Sequence, residues 1–179
     1  KSLEATKSIF LVTNGQEPDM IQKLQDEDAL PTQLYLSTNA ADYESFIKIN
    51  KPKYDDSWER WNRTLDMLKN LDTRTVLRIT LIRNYNDQKE MIPAFADMFR
   101  KASPHFIEIK SYMHIGRSTN RLEHENMLEM HEVKKFSEQI AKQSKIFSIM
   151  DESLVSRISI LQNNERFIDR WIPTYANTN

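Results

Sequence analysis

Residues 73–83 set Leu77, Ile79 and Leu81 against Arg78 and Thr80. The same alternation recurs where Leu34 and Leu36 oppose Gln33, Tyr35 and Ser37, and where Ile107 and Ile109 oppose Glu108, Lys110 and Tyr112. A period of two puts the apolar side chains on one face of a strand and the polar ones on the other. Between these segments lie stretches with helical periodicity, so strand and helix alternate along the chain. That rhythm defines βα units with parallel strands. Strands covered by helices on both faces read as near-continuous Val, Ile and Leu, and these do not. One face meets helices, and the other is polar although largely enclosed. A partial parallel (β/α) barrel of the α/β class, with a polar ligand in its lumen, accounts for that pattern better than a doubly wound sheet. Its chemistry belongs at the C-terminal strand ends, where the βα loops gather.

The first strand, residues 9–12, ends at the turn dipeptide Asn14-Gly15, and Pro18 opens a helix carrying Met20, Ile21 and Leu24. A second strand covers 33–39 and a short helix 41–49, broken at Lys51-Pro52. Asp56-Ser57-Trp58-Glu59 has the form of a capping box before a helix with Trp58, Trp61, Leu65 and Leu68 on one face. Further helices are predicted over 89–101 and 128–143, and further strands over 106–112, 145–150 and 156–161. The barrel portion is thus expected over residues 1–163. Residues 164–179 read as a weakly ordered tail whose Phe167, Trp171 and Ile172 dock somewhere.

Composition narrows the function classes. With 25 Lys plus Arg against 26 Asp plus Glu, the formal net charge is -1, which excludes a strongly basic nucleic-acid coat and an acidic disordered tail. No cysteine is present, so neither a disulfide, a thiolate zinc site nor a cysteine-held cluster is built from this chain. Gly15 and Gly116 are the two glycines, too few for a glycine-rich phosphate loop. No apolar run approaches the roughly 18 residues of a membrane helix and no signal-like start is present, which reads as a cytoplasmic protein without a membrane partner. Lys1 stands where an initiating Met is expected, which reads as part of a longer chain.

Four strand ends carry polar clusters: Thr13-Asn14-Gly15, Ser37-Thr38-Asn39, Arg78 with Thr80 and Asn84, and Lys110 through His114. Each alone is ordinary turn or strand-cap chemistry. Converging on one mouth, they supply hydroxyl, amide, guanidinium and ammonium groups suited to a carboxylate-bearing ligand. Lys110 beside Glu108 reads either as an ion pair or as a lysine for substrate contact or Schiff-base chemistry. His124, Met127 and His131 fall at helical spacing among Glu123, Glu125 and Glu132, a pattern of charged helix starts rather than a metal site. Lys51, Lys53, Arg60 and Arg63 form one basic concentration, and Arg117, Arg121, Lys134 and Lys135 another. With Tyr54, Trp58, Trp61 and Tyr112 nearby, the mixture suits RNA, where stacking and phosphate contacts combine. Trp58 and Trp61 themselves read as core before they read as stacking groups.

Longer strings carry a resemblance. Ile9-Phe10-Leu11-Val12-Thr13-Asn14-Gly15, Leu30-Pro31-Thr32-Gln33-Leu34-Tyr35-Leu36-Ser37, Trp58-Glu59-Arg60-Trp61-Asn62-Arg63-Thr64-Leu65 and Arg74-Thr75-Val76-Leu77-Arg78-Ile79-Thr80-Leu81 are four of them. A fifth is Phe106-Ile107-Glu108-Ile109-Lys110-Ser111-Tyr112-Met113-His114-Ile115-Gly116. Over roughly residues 9–161 they resemble the radical S-adenosylmethionine enzymes that build the wyosine tricycle of phenylalanine tRNA. The resemblance implies a C-terminal portion of a radical S-adenosylmethionine barrel lacking the first strands. It also implies a [4Fe-4S] cluster, S-adenosylmethionine as cofactor, pyruvate as co-substrate and an electron donor that the sequence does not identify. The family joins pyruvate-derived carbons to N1-methylguanosine-37 of the tRNA, giving 4-demethylwyosine.

By that analogy Ser37 and Asn39 touch the cofactor, Thr13 and Asn14 line the same mouth, and Arg78 meets a carboxylate. Lys110, Tyr112 and His114 face substrate, while Lys51, Lys53, Arg117 and Arg121 contact tRNA. The chain departs from the family pattern in lacking the CxxxCxxC loop and the Gly-Glu pair. Asn39 stands where many relatives carry Asp, which alters a ribose contact. The alternatives are a non-catalytic tRNA-binding module and an unrelated barrel enzyme that uses Lys110.

Overall fold

The computed structural model describes residues 6–172. The elements run β1 (Phe10–Thr13), α1 (Pro18–Asp26), β2 (Gln33–Ser37), α2 (Tyr43–Asn50), α3 (Ser57–Met67) and β3 (Arg74–Leu81). They continue with α4 (Ile92–Ala102), β4 (Phe106–Ser111), α5 (Met130–Ser144), β5 (Phe147–Ser153) and β6 (Ile158–Asn163). Two 3-10 turns, Gly116–Asn120 and His124–Asn126, lie between β4 and α5. The six strands form one sheet in the order β1-β2-β3-β4-β6-β5.

Strands β1 to β4 pair in parallel, as the βα rhythm predicts. The last two strands differ from that expectation. β6 runs antiparallel to β4, and β5 runs antiparallel to β6, so the sheet closes on a hairpin rather than on further βα units. Only the turn at 154–157 separates the two strands, which leaves no room for the crossover of a dozen or more residues that parallel pairing needs.

The apolar face of the sheet carries the core. Leu34, Leu36, Leu77, Ile79, Leu81, Ile107, Ile109 and Leu161 are completely or almost completely buried with Leu65, Leu68, Phe95, Phe99 and Ile140 from the helices. Burying side chains of this size stabilises the fold by roughly 1.5–3 kcal/mol each. Trp61 joins them, stacked on Trp58 with ring centroids 5.3 Å apart, so the tryptophan pair is core.

Helix starts follow local chemistry in part. Asp42 caps α2 by accepting from the Ser45 amide at 2.8 Å, and Pro18 sits at the start of α1. The capping box expected at Asp56 does not form. Its carboxylate turns instead to Nε of Arg60, one helical turn on, at 2.8 Å. No helix among the described residues is long and apolar enough to cross a membrane.

Residues 164–172 run back beneath the sheet. Gln162 donates to the Ile168 carbonyl at 2.7 Å, and Arg74 donates to the carbonyls of Asp169 and Arg170 at 2.6 and 3.0 Å. Trp171 and Ile172 border a hollow of about 230 Å³ at the N-terminal end of the polar face. The rest of the expected tail, 173–179, lies outside the described residues.

Candidate functional site

Sheet register builds the polar face row by row. Val12, Tyr35, Val76 and Phe106 align across the four parallel strands. Ser37, Arg78, Glu108 and Ile160 make the next row, and Thr80, Lys110 and Ile158 the one above. Arg78 donates from Nε to Glu108 at 2.8 Å, with its Nη2 at 3.4 Å from the second carboxylate oxygen. Its guanidinium also stands 4.3 Å from the centroid of the Tyr35 ring. Burial raises the Tyr35 phenol above its usual range, and the Glu108 charge adds to the effect against the opposing pull of Arg78.

The ion pair expected between Glu108 and Lys110 is therefore corrected. Glu108 is taken by Arg78 on the neighbouring strand, because the two are register partners and a guanidinium fork matches a carboxylate. Lys110 is half-buried on the same face and has no carboxylate within 4.0 Å among the described residues. Arg78, expected to meet a ligand carboxylate, already holds a protein one.

The ends of β1 and β2 lie beside a cavity of about 360 Å³. Its lining includes Asn14, Gln16, Ser37, Asn39, Lys51 and Lys53. Thr13 Oγ1 accepts from the Gly15 amide at 3.0 Å and Asn14 Oδ1 from the Gln16 amide at 3.2 Å, so both shape the turn. Gly15 has φ +76, and a Cβ there would lie 2.7 Å from Leu36 and 3.1 Å from Trp61. The turn thus needs glycine for both conformation and space. Trp61 donates to the Ser37 carbonyl at 3.1 Å and fixes the end of β2. Asn39 accepts from the Thr80 amide at 3.1 Å and donates to Asn50 at 3.2 Å.

Beyond β4 the chain folds over the top of the polar face. Tyr112 is buried against Ile82 and Leu122, and its hydroxyl lies 3.1 Å from Ser118 and 3.3 Å from His114. Tyr112 and His114 are thus held together in this cap, the segment that follows β4, two and four residues beyond Lys110. Arg83 pins that cap: it donates to the carbonyls of Glu125 and Met127 at 3.0 Å each, and to both Glu132 oxygens at 2.6 Å each. The pairing holds the Glu132 carboxyl below its usual range.

The cap also brings the two basic concentrations together in part. Arg121 shares a hollow of about 80 Å³ with Lys48, Lys51 and Tyr85, and Lys51 borders the larger cavity as well. Arg117 is exposed in the cap. Arg60, Arg63 and Lys134 are instead committed to Asp56, Asp19 and Glu152. Sequence reasoning assigns no role to Tyr35, Arg83 or Asn86. The alternation that places Arg78 inward also places Tyr35, whereas nothing local marks the other two.

The donor set fits one implied group and not the other. Hydroxyl and carboxamide groups around the larger cavity suit the ribose and polar ends of S-adenosylmethionine. A [4Fe-4S] cluster has no ligands here, since the chain has no cysteine and no group of three His, Asp or Glu among the described residues could hold a metal.

Residues 101–163 match the model of a family described as wyosine base formation. The chain is 41% identical over 162 residues to the S-adenosyl-L-methionine-dependent tRNA 4-demethylwyosine synthase of Methanocaldococcus jannaschii, covering 89% of this chain and 48% of that protein. It is 38% identical over 156 residues to the Pyrococcus abyssi enzyme of the same description, covering 87% of this chain and 45% of that one. The solved structure of TYW1 with a lysine-pyruvate adduct bound superposes with a TM-score of 0.77 at 40% identity, over 89% of this chain and 48% of that one. Coproporphyrinogen III oxidase from Escherichia coli, a radical SAM enzyme, shares the fold with a TM-score of 0.54 at 12% identity, over 88% of this chain and 35% of that one. The chain spans about half the length of the curated archaeal relatives it matches.

Proposed function

We propose that the chain, which is similar to the tRNA 4-demethylwyosine synthases and spans about half the length of their archaeal members, forms the substrate side of such an enzyme. The reaction is conversion of N1-methylguanosine-37 of phenylalanine tRNA to 4-demethylwyosine with pyruvate. S-adenosylmethionine would supply radical chemistry when bound, held by Ser37 and Asn39, whereas this chain offers no ligands for a [4Fe-4S] cluster among its described residues. Thr13 and Asn14 shape the mouth, Ser37 and Asn39 meet the cofactor, and Arg78 fixes the electrostatics of the face through Glu108 and Tyr35. Lys51, Lys53, Arg117 and Arg121 take tRNA phosphates around the rim.

The observation that carries the reading is Lys110. It is a half-buried lysine with no carboxylate partner among the described residues, on the face where Arg78 and Glu108 pair with each other, in a chain similar to a protein solved with a lysine-pyruvate adduct. A lysine amine free of an ion pair is available to attack a ketone and form a Schiff base. In the test, the intact protein is incubated with pyruvate and borohydride and its peptides are mapped by mass spectrometry. A reduced adduct on Lys110, lost in Lys110→Arg, is expected. Labelling confined to other lysines removes Lys110 from that role.

A tRNA-binding module without chemistry of its own is the second reading, favoured by the cysteine-free sequence. Iron content of the intact protein separates the two.

A further inference from the structure

Strands β2 and β3 are laddered up to Ser37 and Arg78, and the Thr38 amide makes one more bond to the Arg78 carbonyl at 2.8 Å. Beyond that point two side-chain carboxamides take the place of backbone rungs. Asn39 Oδ1 accepts from the Thr80 amide at 3.1 Å. Asn86, from the loop after β3, donates through Nδ2 to the carbonyls of Asn39 and Thr80, both at 2.9 Å. Its Oδ1 accepts from the Ile82 amide at 2.7 Å.

Asn86 is completely buried, and both donors and one acceptor lone pair of its amide are used in a way that no isosteric side chain reproduces. Aspartate lacks the donors unless protonated, and leucine lacks all three bonds. Buried carbonyls left without a partner cost about 1–3 kcal/mol each. The bond to Thr80 sets which way the Asn39 amide turns: its oxygen faces β3 and its nitrogen faces the cavity side, where Asn50 also sits. Asn39 therefore gives one Nδ2 hydrogen to Asn50 and keeps the second, which has no partner among the described residues, for the cavity it lines.

We propose that Asn86 is a positioning residue, which holds the parted ends of β2 and β3 and so presents Asn39 as a hydrogen-bond donor to an oxygen of the bound cofactor. This rests on the reading that S-adenosylmethionine lies against Ser37 and Asn39. Asn86 touches no ligand itself and acts through Asn39.

The test is a double-mutant cycle on the intact protein, read as the dissociation constant of S-adenosylmethionine by calorimetry, with thermal melting alongside. Asn86→Asp is expected to weaken binding about tenfold, and Asn39→Ala by a similar factor, one lost hydrogen bond each. The double variant should bind no more weakly than Asn39→Ala alone, because both changes remove the same contact. Additive losses, or unchanged affinity in Asn86→Asp, overturn the positioning role.

If Asn86→Asp does not fold, side-chain amide NMR signals of the wild type decide. Those of Asn39 and Asn86 both shift on adding S-adenosylmethionine if the two are coupled, and an unmoved Asn86 overturns the proposal. Wild-type protein that binds no S-adenosylmethionine overturns the cofactor reading and this proposal together. Binding by the wild type with no effect of Asn86→Asp overturns this proposal alone.

Discussion

His105 stands at the entrance to β4 and accepts through Nδ1 from the Thr75 amide at 3.1 Å. Burial, with Arg166 and Arg74 adding positive charge, lowers its pKa from 6.5 to about 4. The unfolded chain therefore takes up this proton first as pH falls. Stability from the neutral ring is fully present above about pH 6.5 and is lost as pH falls toward 4. With allowance for solvent screening of a half-buried ring, the loss is about 1–2 kcal/mol. Urea melts at pH 7 and pH 4.5 measure it, and His105→Gln should flatten that part of the profile.

At this scale the sequence is legible where one side chain sits in a regular strand. Period-two alternation places Arg78, Glu108 and Lys110 inward without any structure. It does not choose between Arg78 and Lys110 as partner of Glu108, because that choice is made by interstrand register. Asn86 is invisible for a related reason: all three of its bonds go to backbone groups, which no residue pattern announces.

Among elements, the helix ends show how a chain with two glycines terminates helices. Lys51, Ser103 and Lys145 adopt left-handed φ values of 46, 43 and 66 at the ends of α2, α4 and α5. A side chain in that region costs about 1 kcal/mol relative to glycine. Lys145→Gly, away from the cavity, should raise stability by about 0.5–1 kcal/mol in equilibrium denaturation, and a loss would contradict the strain at this position.

The cap between β4 and α5 makes a second case. Four bonds from Arg83 hold it, so Arg83→Ala should speed hydrogen exchange over residues 116–128 while β2 and β3 stay protected. Uniform acceleration across the sheet would mean that Arg83 supports the fold at large. Strand and helix positions through β4 are readable from periodicity. The antiparallel ending escapes the βα rhythm, because a four-residue turn between two strands signals a hairpin and not a crossover.

For the molecule as a whole, the six-stranded sheet is open rather than closed into a barrel, with β1 and β5 at its edges. β1 stands at its edge with Phe10 and Val12 each 53% exposed on the polar face. The core on the opposite face is complete, packed by α1 to α5. The chain spans about half the length of the archaeal synthases it is similar to. Fold class is readable at this scale because few architectures place polar residues at every second position of parallel strands. The path of 164–172 beneath the sheet is not, since Arg74 holds it through main-chain carbonyls of Asp169 and Arg170.

The polar face around Lys110, Arg78 and Asn39 is proposed as the substrate side of a 4-demethylwyosine synthase. Its most direct measurement is nucleoside mass spectrometry of N1-methylguanosine-37 phenylalanine tRNA after incubation with the intact, cluster-loaded protein, S-adenosylmethionine, pyruvate and a reductant. 4-Demethylwyosine is predicted with the wild type, and a loss of at least about a hundredfold with Lys110→Ala, in the range set by removing a catalytic nucleophile. Unchanged N1-methylguanosine with the wild type would contradict the assignment.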